Sequence, residues 1–274
     1  MRDHSYLLCI KELLWQEALA RRAEKWLDDT RRRQAACRKT AAARAASVGA
    51  GLLLQKAVAD YQRAAGVGDS GARGRLLQQP EASSQAAYSL APGHCPVQHL
   101  SVSQLLWELE AGQLEPFPLS YTYGPCGKPY LEGIPLFFSL SHSGEYVLCA
   151  VSEKDIGADI QKMQPVDYGK LAGRFYAREE CSLLEQCATN EEGQVLFYRL
   201  WARKESLGKL TGQGVAGVLD KPVWPEGAWE RQVAAYGARA EGKPDEGGPE
   251  GIYIWQDLPC PLGYQAAICR QTGL

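Results

Sequence analysis

Apolar side chains recur at helical spacing in several stretches of this 274-residue chain. This period predicts helices over residues 13–27 and 47–61, the second following a basic segment. Residues 171–187 and 194–209 are also predicted to be helical. Long helices are therefore expected early and late in the chain.

Short apolar runs bounded by turn residues predict strands between and after these helices. They cover residues 137–140, 146–152, 156–160, 251–257 and 265–269. Helices precede strands in each half, which favours an α+β fold over a doubly wound βαβ fold. We expect two related halves, each with a small, mostly antiparallel sheet packed on helices.

The predicted halves are residues 1–155 and 156–274. The N-terminal half contains the segment 66–96, which is rich in Gly, Ser, Gln, Ala and Pro and has no clear hydrophobic period. Such composition predicts a flexible insertion or loop within the N-terminal half.

Composition narrows the class of protein. A formal net charge of −2 gives no overall attraction to nucleic acid, so nucleic acid is not an expected partner. The sequence has no secretory signal and no apolar run long enough to span a bilayer, so no membrane partner is expected. Nine cysteines without a CxxC pair predict reduced thiols in a cytoplasmic protein.

The first candidate site is the strand that carries Asp159 and Gln161. Side chains two residues apart on a strand share a face, so both could reach one cation. Gly157 would allow close approach of another group. The alternative is an Asp that caps the turn after the strand.

The second candidate site lies on the helix over 194–209. Glu205 and Lys209 are four residues apart and share a helix face, with Trp201 one turn earlier. A half-buried site would explain the neighbouring aromatic ring. The alternative is a solvated ion pair between the two charges.

The third candidate is the sequence Ser141-His142-Ser143-Gly144, predicted as a turn between two strands. An imidazole flanked by hydroxyls offers several donors to a phosphate group. The alternative is a structural histidine in a hairpin. Neither a GxSxG elbow nor a GxxxxGK[ST] loop is present, which argues against a serine hydrolase and a P-loop ATPase.

Together, in this order, these motifs resemble those of the Sfp-type 4′-phosphopantetheinyl transferases. The resemblance includes Gly-Lys-Pro at 127–129, Ser-His-Ser-Gly at 141–144 and Ile-Gly-Ala-Asp-Ile-Gln at 156–161. It continues in Trp-x-x-Lys-Glu-Ser at 201–206 with Lys209. The strand departs from the family at Gln161, where members carry a second carboxylate.

The resemblance implies a fold of two pseudo-symmetric halves with coenzyme A bound across them, and it implies Mg²⁺ as cofactor. The implied metal ligands are Asp159, Gln161 and Glu205. The implied catalytic residues are Glu205, Lys209 and His142. The implied coenzyme A contacts are Lys128, Ser141, His142, Lys204, Lys209, Ser47 and Arg44.

The implied activity is transfer of 4′-phosphopantetheine from coenzyme A to a serine of an acyl or peptidyl carrier protein, with release of adenosine 3′,5′-bisphosphate. Two other classes remain open at this point. One is a coenzyme A or nucleotide-binding protein with weak or no transferase activity. The other is a nucleic-acid binder that uses the basic stretch 31–44, although this stretch lacks interleaved aromatic residues for base stacking.

Overall fold

A computed structural model describes residues 3–66, 95–112, 116–223, 234–237 and 252–272. Most of the predicted insertion at 66–96 lies outside these residues. The strands are β1 (His4–Cys9), β2 (Val97–Ser101), β3 (Tyr121–Tyr123), β4 (Pro129–Leu131), β5 (Phe137–Ser143), β6 (Tyr146–Ser152), β7 (Ile156–Lys162), β8 (Ala234–Gly237), β9 (Ile252–Asp257) and β10 (Tyr264–Thr272). The helices are α1 (Lys11–Trp15), α2 (Glu17–Lys25), α3 (Asp29–Ala36), α4 (Ala41–Ala64), α5 (Val102–Ala111), α6 (Tyr168–Phe175), α7 (Arg178–Glu185) and α8 (Asn190–Thr211).

Two four-stranded sheets form the framework, and they confirm the α+β prediction. The first has the order β2-β1-β6-β5, with β1 and β2 parallel and the other pairs antiparallel. The second has the order β7-β10-β9-β8 and is antiparallel throughout. A two-stranded ribbon pairs β3 with β4. The strands β5 and β7 are edge strands of their respective sheets.

Helix α4 packs on the first sheet and is buried along most of its length. Its N-terminus is capped by Thr40, whose hydroxyl accepts a hydrogen bond from the Ala43 N–H. Residues 45–59 are buried or nearly so and are mostly apolar, and the polar Gln55 and Lys56 among them hydrogen-bond to Phe117 and Asp60. The first core therefore surrounds α4.

Helix α8 has the corresponding position against the second sheet. It begins with a capping box between Thr189 and Glu192 and ends at Gly212, which adopts the left-handed conformation. A further apolar cluster takes residues from both sheets, among them Leu148 and Ile160, and so joins the two layers. The candidate motifs on β5, β7 and α8 are brought together by this arrangement.

Tertiary contacts divide the helix predicted over 171–187. Tyr176 is extended between α6 and α7, with φ −93° and ψ 160°. Its ring stacks on Phe197 at 5.2 Å between centroids, and its hydroxyl donates to the Phe197 carbonyl. Burial of this ring against α8 therefore overrides the helical period. The helix predicted over 13–27 is likewise divided, at Gln16.

The Ser-His-Ser segment belongs to β5 rather than to a turn. Ser141, His142 and Ser143 pair with residues 146–148 of β6, and the turn follows at Gly144. Gly144 has φ +54°, a conformation that favours glycine. His142 is therefore held on a regular strand, whose backbone is fixed by its pairing.

Gly157 permits β7 to lie directly against α8. A Cβ at this position would be 1.8 Å from the Ser206 carbonyl oxygen and 2.6 Å from the Leu210 nitrogen. Both are backbone atoms of a long helix, so displacing either one would disturb the hydrogen bonds of that helix. The glycine between Ile156 and Ala158 thus sets the distance between the candidate metal strand and the helix that carries Glu205.

We therefore expect Gly157→Ala to lower the free energy of unfolding by more than about 3 kcal/mol, the upper end of typical overpacking costs. Urea unfolding measures this change. Gly173→Ala is the matched control, because Gly173 is an exposed residue of α6 whose added Cβ would meet nothing within 4 Å. This control should gain up to about 1 kcal/mol from helix propensity. Equal effects of the two changes would contradict the close packing of β7 on α8.

Candidate active site

Asp159 is the centre of the candidate site and is 1% exposed. Its Oδ1 accepts hydrogen bonds from the Ser141 hydroxyl at 2.6 Å and the Lys209 ammonium at 2.7 Å. Its Oδ2 accepts from the Gln161 amide nitrogen at 2.8 Å. A carboxylate has about four lone-pair positions, so one remains free on Oδ2.

Glu205 lies on α8 facing Asp159 and is half-buried. Burial is the main cause that raises the pKa of Glu205, the charge of Asp159 raises it further, and Lys209 opposes both. Among the described residues Glu205 has no hydrogen-bond or ion-pair partner. Two carboxylates thus lie close together, and the ammonium of Lys209 offsets part of their charge.

The contacts of Lys209 distinguish a half-buried site on this helix face from a solvated Glu205–Lys209 ion pair. Its ammonium pairs with Asp159 on β7, and the structure contains no Lys209–Glu205 ion pair within the described part of the chain. The side chain is 30% exposed, so the ammonium borders solvent while it contacts a buried carboxylate. The surface salt bridge between Glu205 and Lys209 is therefore not formed.

Gln161 shares a strand face with Asp159, as the spacing predicts. Its amide nitrogen donates to Asp159, which directs its amide oxygen elsewhere. In this arrangement Gln161 supports Asp159, and ligation of a metal by Gln161 would require the amide to rotate. Its assignment as a ligand stays a prediction.

His142 is placed near the same charges. Its pKa is lowered chiefly by partial burial, then by the positive charges of Lys209 and Arg38, while Asp159 raises it. The imidazole is therefore mainly neutral at pH 7. Arg38 follows α3 and is exposed, and sequence analysis had placed it only within a basic stretch.

A groove of about 310 Å³ opens beside Lys209, between β5, the turn before β4 and the C-terminal end of α8. Arg31 of α3 and Lys209 of α8 both line it, as do Gly208, Gly212 and Gly214, which have no side chains to fill it. The Arg31 guanidinium lies 5.5 Å from the centroid of the Tyr121 ring, and its Nε is buried without a hydrogen-bond partner. The groove therefore presents the positive charges of Arg31 and Lys209.

Lys128 borders the groove but is already engaged by the chain. Its ammonium contacts the Asp155 carboxylate and donates to the carbonyl oxygens of Ile156 at 3.2 Å and Leu210 at 2.9 Å. These bonds use its three N–H donors and join the Gly-Lys-Pro turn to β7 and α8. Lys128 thus has a structural role. Its ammonium has no N–H left for the predicted contact with coenzyme A in this arrangement.

Lys204, which was predicted as a coenzyme A contact, faces away from the groove. It is fully buried, pairs with Glu180 at 2.6 Å and donates to the Lys221 carbonyl at 2.6 Å. Burial lowers the pKa of Lys204, and the charge of Glu180 opposes this effect. The predicted ligand contact therefore has no geometric support, and the motif lysine instead fixes α8 from behind.

Glu180→Ala should lower the free energy of unfolding by about 3–5 kcal/mol, the usual cost of removing one partner of a buried ion pair. Glu180 also accepts hydrogen bonds from the backbone of Ala177 and Val223, so these donors would lose their partner as well. The measurement is urea unfolding.

The neighbouring Glu179→Ala is the control for this change, because Glu179 is exposed on the same helix. We expect its effect to stay within about 0.5 kcal/mol. A loss from Glu180→Ala no larger than that of the control would show that the Lys204–Glu180 pair does not hold α8.

The structure does not bring Arg44 and Ser47 to the groove. Arg44 pairs with Glu24 of α2 at 2.7 Å, and Ser47 is 7% exposed within α4. Both residues lie at the C-terminal end of the basic segment and just beyond it. Arg31 and Arg38, earlier in the same segment, are the residues that lie beside the site.

The described residues contain no helix that is long and apolar enough to cross a membrane. They contain no group of three or more His, Cys, Asp or Glu side chains arranged to hold a metal. The candidate donor set instead consists of two carboxylates and the Gln161 amide.

Comparison with known proteins supports the motif reading. Residues 155–232 match the family model of the 4′-phosphopantetheinyl transferase superfamily. The chain is 39% identical to a 4′-phosphopantetheinyl transferase of Bacillus subtilis over 39% of this chain and 47% of that protein. It is 34% identical to 4′-phosphopantetheinyl transferase psf-1 of Bacillus pumilus over 53% of this chain and 58% of that protein.

A further relative is 4′-phosphopantetheinyl transferase Sfp of Bacillus subtilis strain 168, which is 31% identical over 57% of this chain and 65% of that protein. The chain thus spans about half to two thirds of the length of these curated relatives. Asp159, Gln161, Glu205 and Lys209 all fall within the segment that matches the family model. The resemblance predicted from the motifs is therefore confirmed: the chain is similar to the 4′-phosphopantetheinyl transferases, and its residues 155–232 carry the match to that superfamily.

Proposed function

We propose that this chain transfers 4′-phosphopantetheine from coenzyme A to a serine hydroxyl of an acyl or peptidyl carrier protein, in a Mg²⁺-dependent reaction that releases adenosine 3′,5′-bisphosphate. One observation carries the proposal. Asp159 on β7 converges with Glu205 and Lys209 on α8, more than 40 residues later in the chain, beside a basic groove and within the segment that matches the superfamily.

The donor groups present fit Mg²⁺. Asp159 keeps a free lone pair on Oδ2, Glu205 is unpartnered among the described residues, and both offer the hard oxygen ligands that Mg²⁺ prefers. A bound Mg²⁺ would neutralise charge on the pyrophosphate of coenzyme A. These two carboxylates would hold it, and Gln161 would hold Asp159 in place.

The chain's own residues account for the remaining steps of the transfer. The carrier serine oxygen attacks the β-phosphorus, the phosphoanhydride bond breaks, and adenosine 3′,5′-bisphosphate leaves. Glu205 accepts the serine proton, because its carboxylate faces Asp159 and has no hydrogen-bond or ion-pair partner among the described residues. Lys209 and the neutral His142 donate to phosphate oxygens at the groove.

The positive charge around the groove suits an anionic substrate. Arg31 lines the groove together with Lys209, Arg38 lies near His142, and both arginines would meet the nucleotide phosphates of coenzyme A. This assigns to Arg31 and Arg38 the role first predicted for Arg44 and Ser47.

The test is release of adenosine 3′,5′-bisphosphate, measured by chromatography after incubation with coenzyme A, Mg²⁺ and a panel of apo carrier proteins. We expect release only when all three are present, with loss on chelation of Mg²⁺. Tight coenzyme A binding without release would favour the binding-protein alternative. A salt-sensitive shift of DNA or RNA that coenzyme A does not affect would favour the nucleic-acid binder.

Gln161→Glu should lower the Mg²⁺ concentration that gives half-maximal rate, because it adds a carboxylate to the face of β7 that carries Asp159. Without added metal the same change should lower the thermal unfolding midpoint, since it replaces a donor to Asp159 with a like charge. Titration of the rate with Mg²⁺ and thermal unfolding with and without Mg²⁺ measure both effects. An unchanged or higher Mg²⁺ requirement would place Gln161 outside the metal's surroundings.

A further inference from the structure

The edges of the two sheets are joined by serine side chains instead of by a backbone ladder. The hydroxyls of Ser139, Ser141 and Ser143 accept hydrogen bonds from backbone N–H groups of β7 at 2.9, 3.3 and 2.9 Å. The donors are the N–H groups of residues 158, 160 and 162. We call this set of three bonds the serine ladder.

The serine ladder follows from the geometry of the two edge strands. Alternate N–H groups of β7 point away from its partner β10, and an edge strand leaves such groups unpaired. Serines at every second position of β5 meet them with the same period. The ladder therefore satisfies the buried N–H groups of residues 158 and 160 and fixes the register of one sheet against the other.

Ser141, the middle serine of the ladder, makes a second hydrogen bond to a side chain of the candidate site. Ser141 accepts from the Ile160 N–H and also donates its own proton to Asp159 Oδ1 at 2.6 Å. Ser141 is 7% exposed, so its hydroxyl is occupied by these two partners and is closed to solvent. Ser141 therefore contacts the candidate metal ligand, and its contact with coenzyme A stays a prediction.

We propose that Ser141 is a positioning residue that orients the Asp159 carboxylate for Mg²⁺ and couples this orientation to the docking of β5 on β7. This inference rests on the proposed function, because that function identifies the bound ion as Mg²⁺. The Ser141 proton occupies Oδ1 together with Lys209, which leaves Oδ2 as the oxygen for the metal. Groups that orient metal ligands in this way typically contribute 10–100-fold to metal affinity.

Ser139 provides a matched control. It is 6% exposed, close to the 7% of Ser141, and its hydroxyl accepts an equivalent backbone bond from β7. No contact between Ser139 and Asp159 occurs among the described residues. Removing either hydroxyl deletes one bond of the serine ladder, but only the change at Ser141 alters the surroundings of Asp159.

The experiment measures Mn²⁺ binding to the full chain by electron paramagnetic resonance of the free ion, without coenzyme A or carrier protein. We expect Ser141→Ala to weaken Mn²⁺ binding about 10–100-fold. Ser139→Ala should leave the affinity near the wild-type value, while both variants lower the thermal unfolding midpoint to a similar extent. Should Ser141→Ala fail to fold, Ser141→Cys retains the volume with a weaker donor and should weaken binding in the same direction.

Each outcome decides the inference. Equal losses of Mn²⁺ affinity in the Ser141 and Ser139 variants, or no loss in either, would overturn it, and so would a wild-type chain that binds no Mn²⁺. Failure of the proposed function is seen separately. A wild-type chain that binds Mn²⁺ with the expected Ser141 dependence but transfers nothing to carrier proteins would refute the transferase and leave the positioning role of Ser141 intact.

Discussion

Asp159→Ala should abolish transfer to a carrier protein while the chain remains folded. The substitution removes the buried carboxylate that would be the main anionic ligand of Mg²⁺, and no neighbouring side chain can replace it at that position. Ser141, Gln161 and Lys209 would each lose a hydrogen-bond acceptor. We expect a loss of about 1–3 kcal/mol in stability from donors left without a partner. Steady-state rates at saturating Mg²⁺ and urea unfolding measure the two effects.

Asp159→Asn separates charge from shape. Asparagine keeps the size of the side chain and one carbonyl oxygen but has no negative charge for a metal. We expect it to be as inactive as Asp159→Ala and more stable than it. A near wild-type rate for either variant at saturating Mg²⁺ would contradict the metal assignment.

Glu205→Gln should lower turnover by about 10²–10⁴-fold, the usual contribution of a general base, with a smaller effect on coenzyme A binding. Glutamine keeps the size and an oxygen ligand but cannot accept the serine proton. Loss of a charged metal ligand would add to this deficit. Glu191→Gln is the control, because Glu191 is exposed at the start of the same helix.

Lys209→Ala should differ from Glu205→Gln in its dependence on coenzyme A. The ammonium would meet the pyrophosphate in the ground state as well as in the transition state, so its loss should raise the apparent KM along with the fall in kcat. Full rate curves against coenzyme A separate the variants. An active Glu205→Gln with an inactive Lys209→Ala would support a phosphate site on α8 and refute Glu205 as the base. If both changes were silent, the transferase assignment would lose its main support.

Local patterns were sufficient for the main elements of this fold. The helical period predicted α8, and the buried helix over 47–61 is part of α4. The Gly-x-Asp strand is β7, and Asp159 and Gln161 do share a face. The placement of Glu205 and Lys209 on one helix face also followed from their spacing.

The misplaced details depend on long-range contacts that local spacing does not contain. The break at Tyr176 reflects stacking on Phe197, 21 residues later in the chain. Lys204 and Glu205 are adjacent in sequence, but one is buried against Glu180 and the other faces Asp159. Only the position of α7 behind α8 determines which of these two charges reaches the groove.

The partners of Ser141 and Lys209 could not be predicted for the same reason. Ser141 meets β7 because two sheet edges face each other, and Lys209 reaches Asp159 across 50 residues of sequence. Arg31 and Arg38 gave only the signal of a basic stretch. Their placement beside the groove depends on how α3 packs against α4 and the first sheet.

The most direct test of the account is the intact mass of an apo carrier protein after incubation with this chain, coenzyme A and Mg²⁺. We predict a mass gain of one phosphopantetheinyl group, located on a single serine, which is lost when that serine is changed to alanine or when Asp159→Asn replaces the wild-type chain. An unmodified carrier across a panel of acyl and peptidyl carrier proteins, with the chain folded and binding coenzyme A, would contradict the proposed transferase.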